Sequence, residues 1–133
     1  LFRSDTLPVM RGIAAELLAE TEFAFMDEGP GWPQLSPATV AAREAKGRGP
    51  HPILQVTNAL ARSVTTWADR NEAGIGSNLV YAAIHQFGGD AGRGHQVEIP
   101  ARRYLPFDEN GQLAAGARQS ILDLVITALS RQR

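Results

Sequence analysis

The sequence predicts an α+β fold, in which a long N-terminal helix and an apolar C-terminal helix pack on a small, mainly antiparallel sheet of about three or four strands. Residues 5–27 and 112–131 repeat apolar side chains at the three-to-four spacing of helices. Residues 63–68 are rich in β-branched and aromatic types, and residues 95–100 alternate as a half-buried strand does. The length of the chain predicts a single domain, 1–133.

The N-terminal helix is predicted over residues 5–27. Asp5 or Thr6 can cap it, and Pro8 falls in the first turn, where a missing N–H removes no hydrogen bond. The predicted buried face consists of Met10, Ile13, Ala14, Leu17, Thr21 and Phe25. The prolines and glycines of residues 28–33 end the helix.

A second, shorter helix is predicted over residues 35–47. Ser36 is a good N-cap, Pro37 suits the first helical position, and Gly47 can stop the helix. Its cap residues define the boundaries better than its apolar pattern does, because it holds few large apolar side chains.

The strands are predicted in three places. The segment SVTTWA (63–68), the turn residues DRNEAG and the return AGIG together indicate a β-hairpin. In HQVEIP (95–100), Val97 and Ile99 face one way and the polar residues the other. The segment RRYLPF (102–107) is a candidate for another short edge strand.

The segment GSNLVYAAIHQFGG (76–89) predicts a helix that starts near Ser77 or Asn78. The residues expected to face the core are Val80, Ala83, Ile84 and Phe87. Tyr81 and His85 lie one turn apart on an adjacent face, with Gln86 beside them. Gly88 can supply the left-handed residue that ends the helix, and the helix dipole favours a cation at His85.

The C-terminal helix, 112–131, is apolar around most of its circumference. Such a helix requires burial on more than one side, so it either sits deep in its own domain or meets a neighbouring subunit. The second alternative makes Leu122, Val125 and Leu129 candidates for an oligomer interface, and one face of residues 5–27 is the other candidate.

Composition excludes several kinds of site. The chain has no cysteine, so disulfides, thiolate metal sites and cysteine nucleophiles are absent. The net charge of −1 lacks the basic excess of generic nucleic-acid binding, and no apolar run reaches the ~20 residues of a membrane span. The three histidines show no H-x-x-x-H or H-x-H spacing. The sequence therefore predicts no catalytic residue, no metal ligand and no cofactor.

Two other functions stay open on the residues alone. A small hydrolase could use His85 as its base, with Ser77 or Asp90. A DNA-binding module could use Arg102 and Arg103, although adjacent arginines more often pair with acidic groups.

Four blocks occur in a fixed order along the chain: GPGWPQLSPAT (29–39), ILQVTNAL (53–60), GSNLVYAAIHQFGG (76–89) and IPARRYLPF (99–107). Together they resemble the phage virion morphogenesis family, the Mu-like tail completion proteins of contractile-tailed phages and prophages. The resemblance spans roughly residues 5–130. Its most specific parts are Y-A-x-I-H-Q-F-G-G and I-P-A-R.

The resemblance implies a non-enzymatic assembly protein that completes the head-proximal end of a tail and prepares it to join the head. It implies a homo-oligomer, by analogy with tail terminators a ring of about six copies. The expected partners are further copies, tail tube proteins or head-completion proteins, with no membrane and no specific nucleic acid. The expected location is the tail or neck of the virion, and the host cytoplasm during assembly.

The resemblance assigns a structural or interface role, rather than a chemical one, to a set of motif residues. These residues are Trp32, Leu35, Thr39, Tyr81, His85, Gln86, Phe87, Gly88, Pro100 and Arg102.

Overall fold

The computed structural model describes residues 5–29, 31–49, 51, 53–54, 59–79, 82–91 and 97–131. The described residues form an α+β fold, as predicted. The helices are α1 (Leu7–Asp27), α2 (Pro37–Ala45), α3 (Ala59–Ser63), α4 (Ala82–Phe87) and α5 (Ala115–Ser130). The strands are β1 (Val64–Ala68), β2 (Ala73–Ser77), β3 (Gly89–Ala91) and β4 (Val97–Ile99).

The long helix α1 follows the predicted spacing. The Asp5 carboxylate accepts a hydrogen bond from the Leu7 backbone N–H at 3.0 Å, which satisfies one of the free donors of the first turn. Side chains one turn apart, from Ala14 to Phe25, are buried as predicted. On the opposite side, two large apolar side chains of α1 remain exposed, Phe23 and Met26.

The strands form two sheets of two strands each. Strands β1 and β2 are the predicted hairpin, closed where the Asp69 N–H donates to the Glu72 carbonyl at 2.8 Å. Gly74 lies directly under the Trp67 ring, since an added Cβ would stand 2.2 Å from the ring atom Cζ2. Strands β3 and β4 pair antiparallel, with Gly89 opposite Ile99.

Residues 102–107, predicted as another short edge strand, are largely irregular. Only Phe107 pairs, in an isolated bridge with Leu113. This prediction is wrong because the backbone groups of the segment are used elsewhere: the Arg102 N–H donates to the His85 carbonyl, and the Tyr104 N–H to the Gln86 side chain. A segment satisfied in this way has no need of a strand partner.

The described residues divide into two compact units. The first takes those within Leu1–Thr21, Thr65–Gly76 and Leu105–Arg133, and the second those within Glu22–Val64 and Ser77–Tyr104. The buried residues of the first unit are Ala14, Leu17, Thr21, Ile75, Pro106 and Ala117. Those of the second are Ala24, Phe25, Trp32, Ile53, Leu60, Ala82, Gln86, Arg102 and Tyr104. A single domain over the whole chain remains a prediction.

Helix α4 corrects the prediction for residues 76–89. It begins at Ala82 rather than near Ser77, because Ser77 is still part of β2. Its buried residues are Ala82 and Gln86, whereas Ala83 and Phe87 are exposed. The buried side of the helix is therefore turned by about one residue (~100°) from the apolar side that spacing suggested. Val80 and Tyr81 lie outside the described residues.

Helix α5 exposes much of its apolar surface. Ala117 is its one fully buried residue, while Leu122, Ile126 and Leu129 are 45%, 58% and 37% exposed. Within the first unit it approaches α1 closely at Gly12, where an added Cβ would stand 3.1 Å from Leu124 Cδ1. Of the two predicted alternatives, deep burial within the chain does not hold for α5.

Candidate functional site

Arg102 lies at the centre of a cluster that joins three of the four sequence blocks within the second unit. Its side chain is buried, with 6% of the residue exposed. Nε donates to the Pro33 carbonyl at 2.9 Å and Nη2 donates to the Gln34 carbonyl at 3.0 Å. Its backbone N–H donates to the His85 carbonyl at 2.7 Å. One arginine therefore connects the segment before α2 to the last turn of α4.

Tyr104 makes the second set of connections. Its backbone N–H donates to Gln86 Oε1 at 3.0 Å, and its hydroxyl donates to the Ala82 carbonyl at 2.9 Å. These bonds explain why the polar Gln86 is on the buried side of α4 and is only 1% exposed. Burial raises the pKa of Tyr104 to about 12, because the phenolate would have to be held away from water.

An aromatic group completes the cluster. The Trp32 indole N–H donates to the Arg103 carbonyl at 2.8 Å. Phe25 at the end of α1 meets Trp32 edge-on, with ring centroids 5.9 Å apart, and meets Tyr104 at 5.4 Å. Aromatic contacts of this kind add stability beyond that of burial alone, so the three rings help to hold the cluster together.

Gly88 forms the junction between α4 and β3. Its φ of +76° lies in the left-handed region, as predicted, and its N–H donates to the Ile84 carbonyl at 2.7 Å. An added Cβ would stand 2.9 Å from both the Ala101 nitrogen and the Ile99 carbonyl oxygen. Only glycine fits here, because the backbone after β4 passes directly over this residue.

The environment of His85 disfavours a charge. Burial, and secondarily the positive charge of Arg102, lower the pKa of His85 below its ordinary value. His85 lies in the last turn of α4, as predicted, where the helix dipole favours a cation, but desolvation and the charge of Arg102 act against it. Burial, and then Arg43, also lower the pKa of Arg102.

Three further predicted motif residues are described, namely Leu35, Thr39 and Pro100. Thr39 is exposed, and its N–H donates to the Ser36 Oγ at 3.2 Å, so it helps to cap α2. Leu35 is half-buried, and Pro100 is exposed. Tyr81 lies outside the described residues.

The remaining block, ILQVTNAL (53–60), is attached through Glu28. This carboxylate accepts a hydrogen bond from the N–H of Ile53, a fully buried residue, and forms an ion pair with His51. Burial alone would raise the pKa of Glu28, but the bonds from His51 and Ile53 outweigh it and hold the pKa below its ordinary value. Residues 55–58 of this block lie outside the described residues.

The residues named for a hydrolase or a DNA-binding module have structural contacts of their own. The Ser77 hydroxyl bonds to the Ser63 hydroxyl at 2.5 Å and accepts from the Leu79 N–H. Asp90 lies in β3, opposite Glu98. In the part of the chain that the structure describes, no three histidine or carboxylate side chains form a possible metal site. The Arg102 guanidinium is engaged with carbonyls and buried, so it is not a phosphate-binding surface.

Each unit also has an exposed apolar surface. One consists of Leu122, Ile126 and Leu129 on α5, which include two of the three predicted interface residues; the third, Val125, is half-buried. The other consists of Phe23 and Met26 on α1, 56% and 72% exposed. Sequence reasoning singled out neither of these two residues, although both lie off the face that carries Leu17, Thr21 and Phe25.

Among the described residues, no helix is both long and apolar enough to cross a bilayer.

Comparison with known proteins gives a consistent result. A family model described as the phage virion morphogenesis family matches residues 3–130. The chain is 38% identical over 133 aligned positions to "Putative capsid assembly protein G" of Escherichia phage Mu, covering 93% of this chain and 81% of that protein. It is 42% identical over 106 positions to "Mu-like prophage FluMu G protein 2" of Haemophilus influenzae, covering 77% and 69%. No solved structure shows a significant match.

Proposed function

Because the chain belongs to the phage virion morphogenesis family, we propose that it is a structural subunit that completes the head-proximal end of a phage or prophage tail and enables the tail to join the head. In this proposal the working form is a ring of identical copies, about six by analogy with tail terminators. The partners are neighbouring copies and the tail tube or head-completion proteins, and the location is the tail or neck of the virion.

The observation that carries the proposal is the use of the motif residues. Hydrogen bonds inside the second unit engage the polar groups of Arg102, Gln86 and Trp32. A reaction centre instead keeps polar groups directed at a substrate. The motifs of this family therefore act in this chain as a means of holding a shape, which is what an assembly subunit requires.

The exposed side of α5 supports an assembled state. Three large apolar side chains, Leu122, Ile126 and Leu129, lie one turn apart on a solvent-exposed face. Monomeric proteins rarely expose contiguous apolar surfaces, and such surfaces often mark protein–protein contacts.

The decisive experiment deletes the gene from the phage or prophage and examines the particles by electron microscopy. Heads and tails that remain unjoined, or tails of abnormal length, are the expected result. Defective heads with normal tails would instead place this chain with the capsid assembly role that the phage Mu relative is named for. Particles of normal yield and shape would refute an assembly role altogether.

A hydrolase that uses His85 is tested separately. In that case His85→Ala would abolish turnover of the substrate while the protein stayed folded. For an assembly subunit, we expect the same substitution to reduce stability or particle yield, because His85 lies against the Arg102 cluster.

A further inference from the structure

We propose that the exposed end of α1 in one copy of this chain binds the exposed side of α5 in the next copy. This inference rests on the proposed function, which calls for an assembly, and adds which two surfaces meet. A ring contact is heterologous, so each copy must offer two different surfaces that fit each other. The described part of the chain offers two such surfaces, and their charges are opposite.

The first surface, called the α1 acidic patch, consists of Glu22, Phe23, Met26 and Asp27. All four residues are exposed, and Met26 is the most exposed large apolar residue among those described, at 72%. Among the described residues, neither Glu22 nor Asp27 has an ion-pair partner. The patch is therefore apolar at its centre, with two uncompensated negative charges beside it.

The second surface, called the α5 stripe, consists of Arg118, Leu122, Ile126 and Leu129. Steps of three or four residues place all four side chains on one side of the helix. The three apolar residues are exposed, as is Arg118, which has no ion-pair partner in the part of the chain that the structure describes. The stripe is thus an apolar row with a positive charge at its N-terminal end.

Charge complementarity selects the pairing of these two surfaces. If the α1 acidic patch met its own counterpart in an antiparallel arrangement, Glu22 would lie opposite Asp27 and the carboxylates would repel each other. If the α5 stripe met itself, Arg118 would lie opposite either a neutral residue or another Arg118. Only the contact between the patch and the stripe buries both apolar rows and brings a cation to the two carboxylates.

The absence of cysteine from the chain makes a direct test possible. Met26→Cys and Ile126→Cys are combined in one chain, and assembled particles are treated with a short bis-maleimide cross-linker. We expect a ladder of covalent multimers, because every copy links to the next. Particles with either substitution alone should give no ladder, and a mixture of the two single variants should give linked dimers. The control chain carries Ala41→Cys, on an exposed part of α2, together with Ile126→Cys. It should give no covalent multimers.

Two outcomes would overturn the pairing. Dimers from Ile126→Cys alone would mean that the α5 stripe meets its own copy. A double variant that yields normal particles without a ladder would mean that the two surfaces do not meet. Either result leaves the proposed function standing, whereas normal particles after deletion of the gene would remove the function itself.

A charge exchange covers the case in which the cysteines prevent assembly. We expect Arg118→Glu to lower particle yield about tenfold, because it places like charges together. Adding Glu22→Arg and Asp27→Arg in the same chain should restore most of that yield. The matched control, Arg48→Glu at an exposed site after α2, should leave the yield unchanged. A loss that the compensating changes do not restore at all would contradict the pairing.

Discussion

At the scale of single residues, the structure gives the motif side chains a specific role. Arg102 is a buried cation whose side chain donates hydrogen bonds to two backbone carbonyls, those of Pro33 and Gln34. A guanidinium suits this task, because its planar fork can serve two acceptors at once and stays charged when it is partly desolvated. Within the described residues, carbonyls rather than an acidic group accept the hydrogen bonds of the Arg102 side chain.

Replacing Arg102 should therefore cost stability. We expect Arg102→Met to lower the free energy of unfolding by about 2–4 kcal/mol, since two hydrogen bonds from a charged donor are lost and two carbonyls lose their partner. Urea denaturation followed by circular dichroism measures the change. Arg48→Met, at an exposed arginine, is the control and should shift the midpoint very little. Equal midpoints for the two variants would contradict the role of Arg102.

The raised pKa of Tyr104 predicts that the stability of the protein falls in the alkaline range. In the folded protein its pKa is raised to about 12, whereas in the unfolded chain it is about 10. Between these values the unfolded state has lost the proton and the folded state keeps it, so stability is full below about pH 10 and falls as the pH rises.

We expect the free energy of unfolding to fall by up to about 1.4 kcal/mol per pH unit in this range. Tyr104→Phe should remove this pH dependence. The measurement is the free energy of unfolding of both proteins from pH 8 to about 11. A variant whose pH dependence matched that of the unchanged protein would show that the phenol is not held in its neutral form.

At the scale of elements, the α4–β3 junction shows how a loop fixes a helix. Gly88 ends α4 in the left-handed region, and the backbone of Ile99 and Ala101 passes over it. Strand β3 then begins at Gly89, which pairs with Ile99, the last residue of the antiparallel strand β4. The helix, the turn and the hairpin depend on the same close approach of two backbone segments.

Two glycine substitutions separate the cost of a left-handed backbone from the cost of a steric clash of the added Cβ. Gly47 has a φ of +74°, close to that of Gly88, but an added Cβ there would meet nothing within 4 Å. Gly47→Ala should cost about 1–2 kcal/mol, for the left-handed backbone alone. Gly88→Ala should cost at least about 1 kcal/mol more, because its Cβ also strikes backbone atoms. Equal losses in denaturant titrations would mean that the backbone above Gly88 moves aside.

At the scale of the whole molecule, the chain separates residues that hold each unit together from residues that face outward. The Arg102 cluster and the buried face of α1 belong to the first group, whereas the α5 stripe and the α1 acidic patch belong to the second. Substitutions in the two groups should therefore affect stability and assembly differently.

We expect Leu122→Gln with Ile126→Gln to change the free energy of unfolding by no more than about 0.5 kcal/mol, because both side chains are exposed. The same variant should sharply reduce particle yield in a complementation test of the deletion. Leu17→Gln is the contrasting control: this residue is 3% exposed, and the protein should lose stability. Normal particle yield from the α5 variant would show that this side of the helix makes no necessary contact.

The sequence by itself determined the α+β class, the extent of α1, the β1–β2 hairpin and the membership of a family. The structural features among these depend on local preferences, such as the 3.6-residue period, the cap residues and the turn glycines, which neighbouring residues encode. The four sequence blocks likewise pointed to the residues that the Arg102 cluster brings together, without showing how those residues meet.

Only the tertiary structure decided which side of α4 is buried, what Arg102 binds and where α5 is exposed. Gln86 is buried because Tyr104, 18 residues away, supplies its donor, and Arg102 is satisfied by carbonyls 68 and 69 residues away. Apolar periodicity favours Phe87 over Gln86 for the interior, since it cannot register a distant hydrogen-bond partner. Burial of a polar side chain depends on that partner, and the partner is positioned only when the chain has folded.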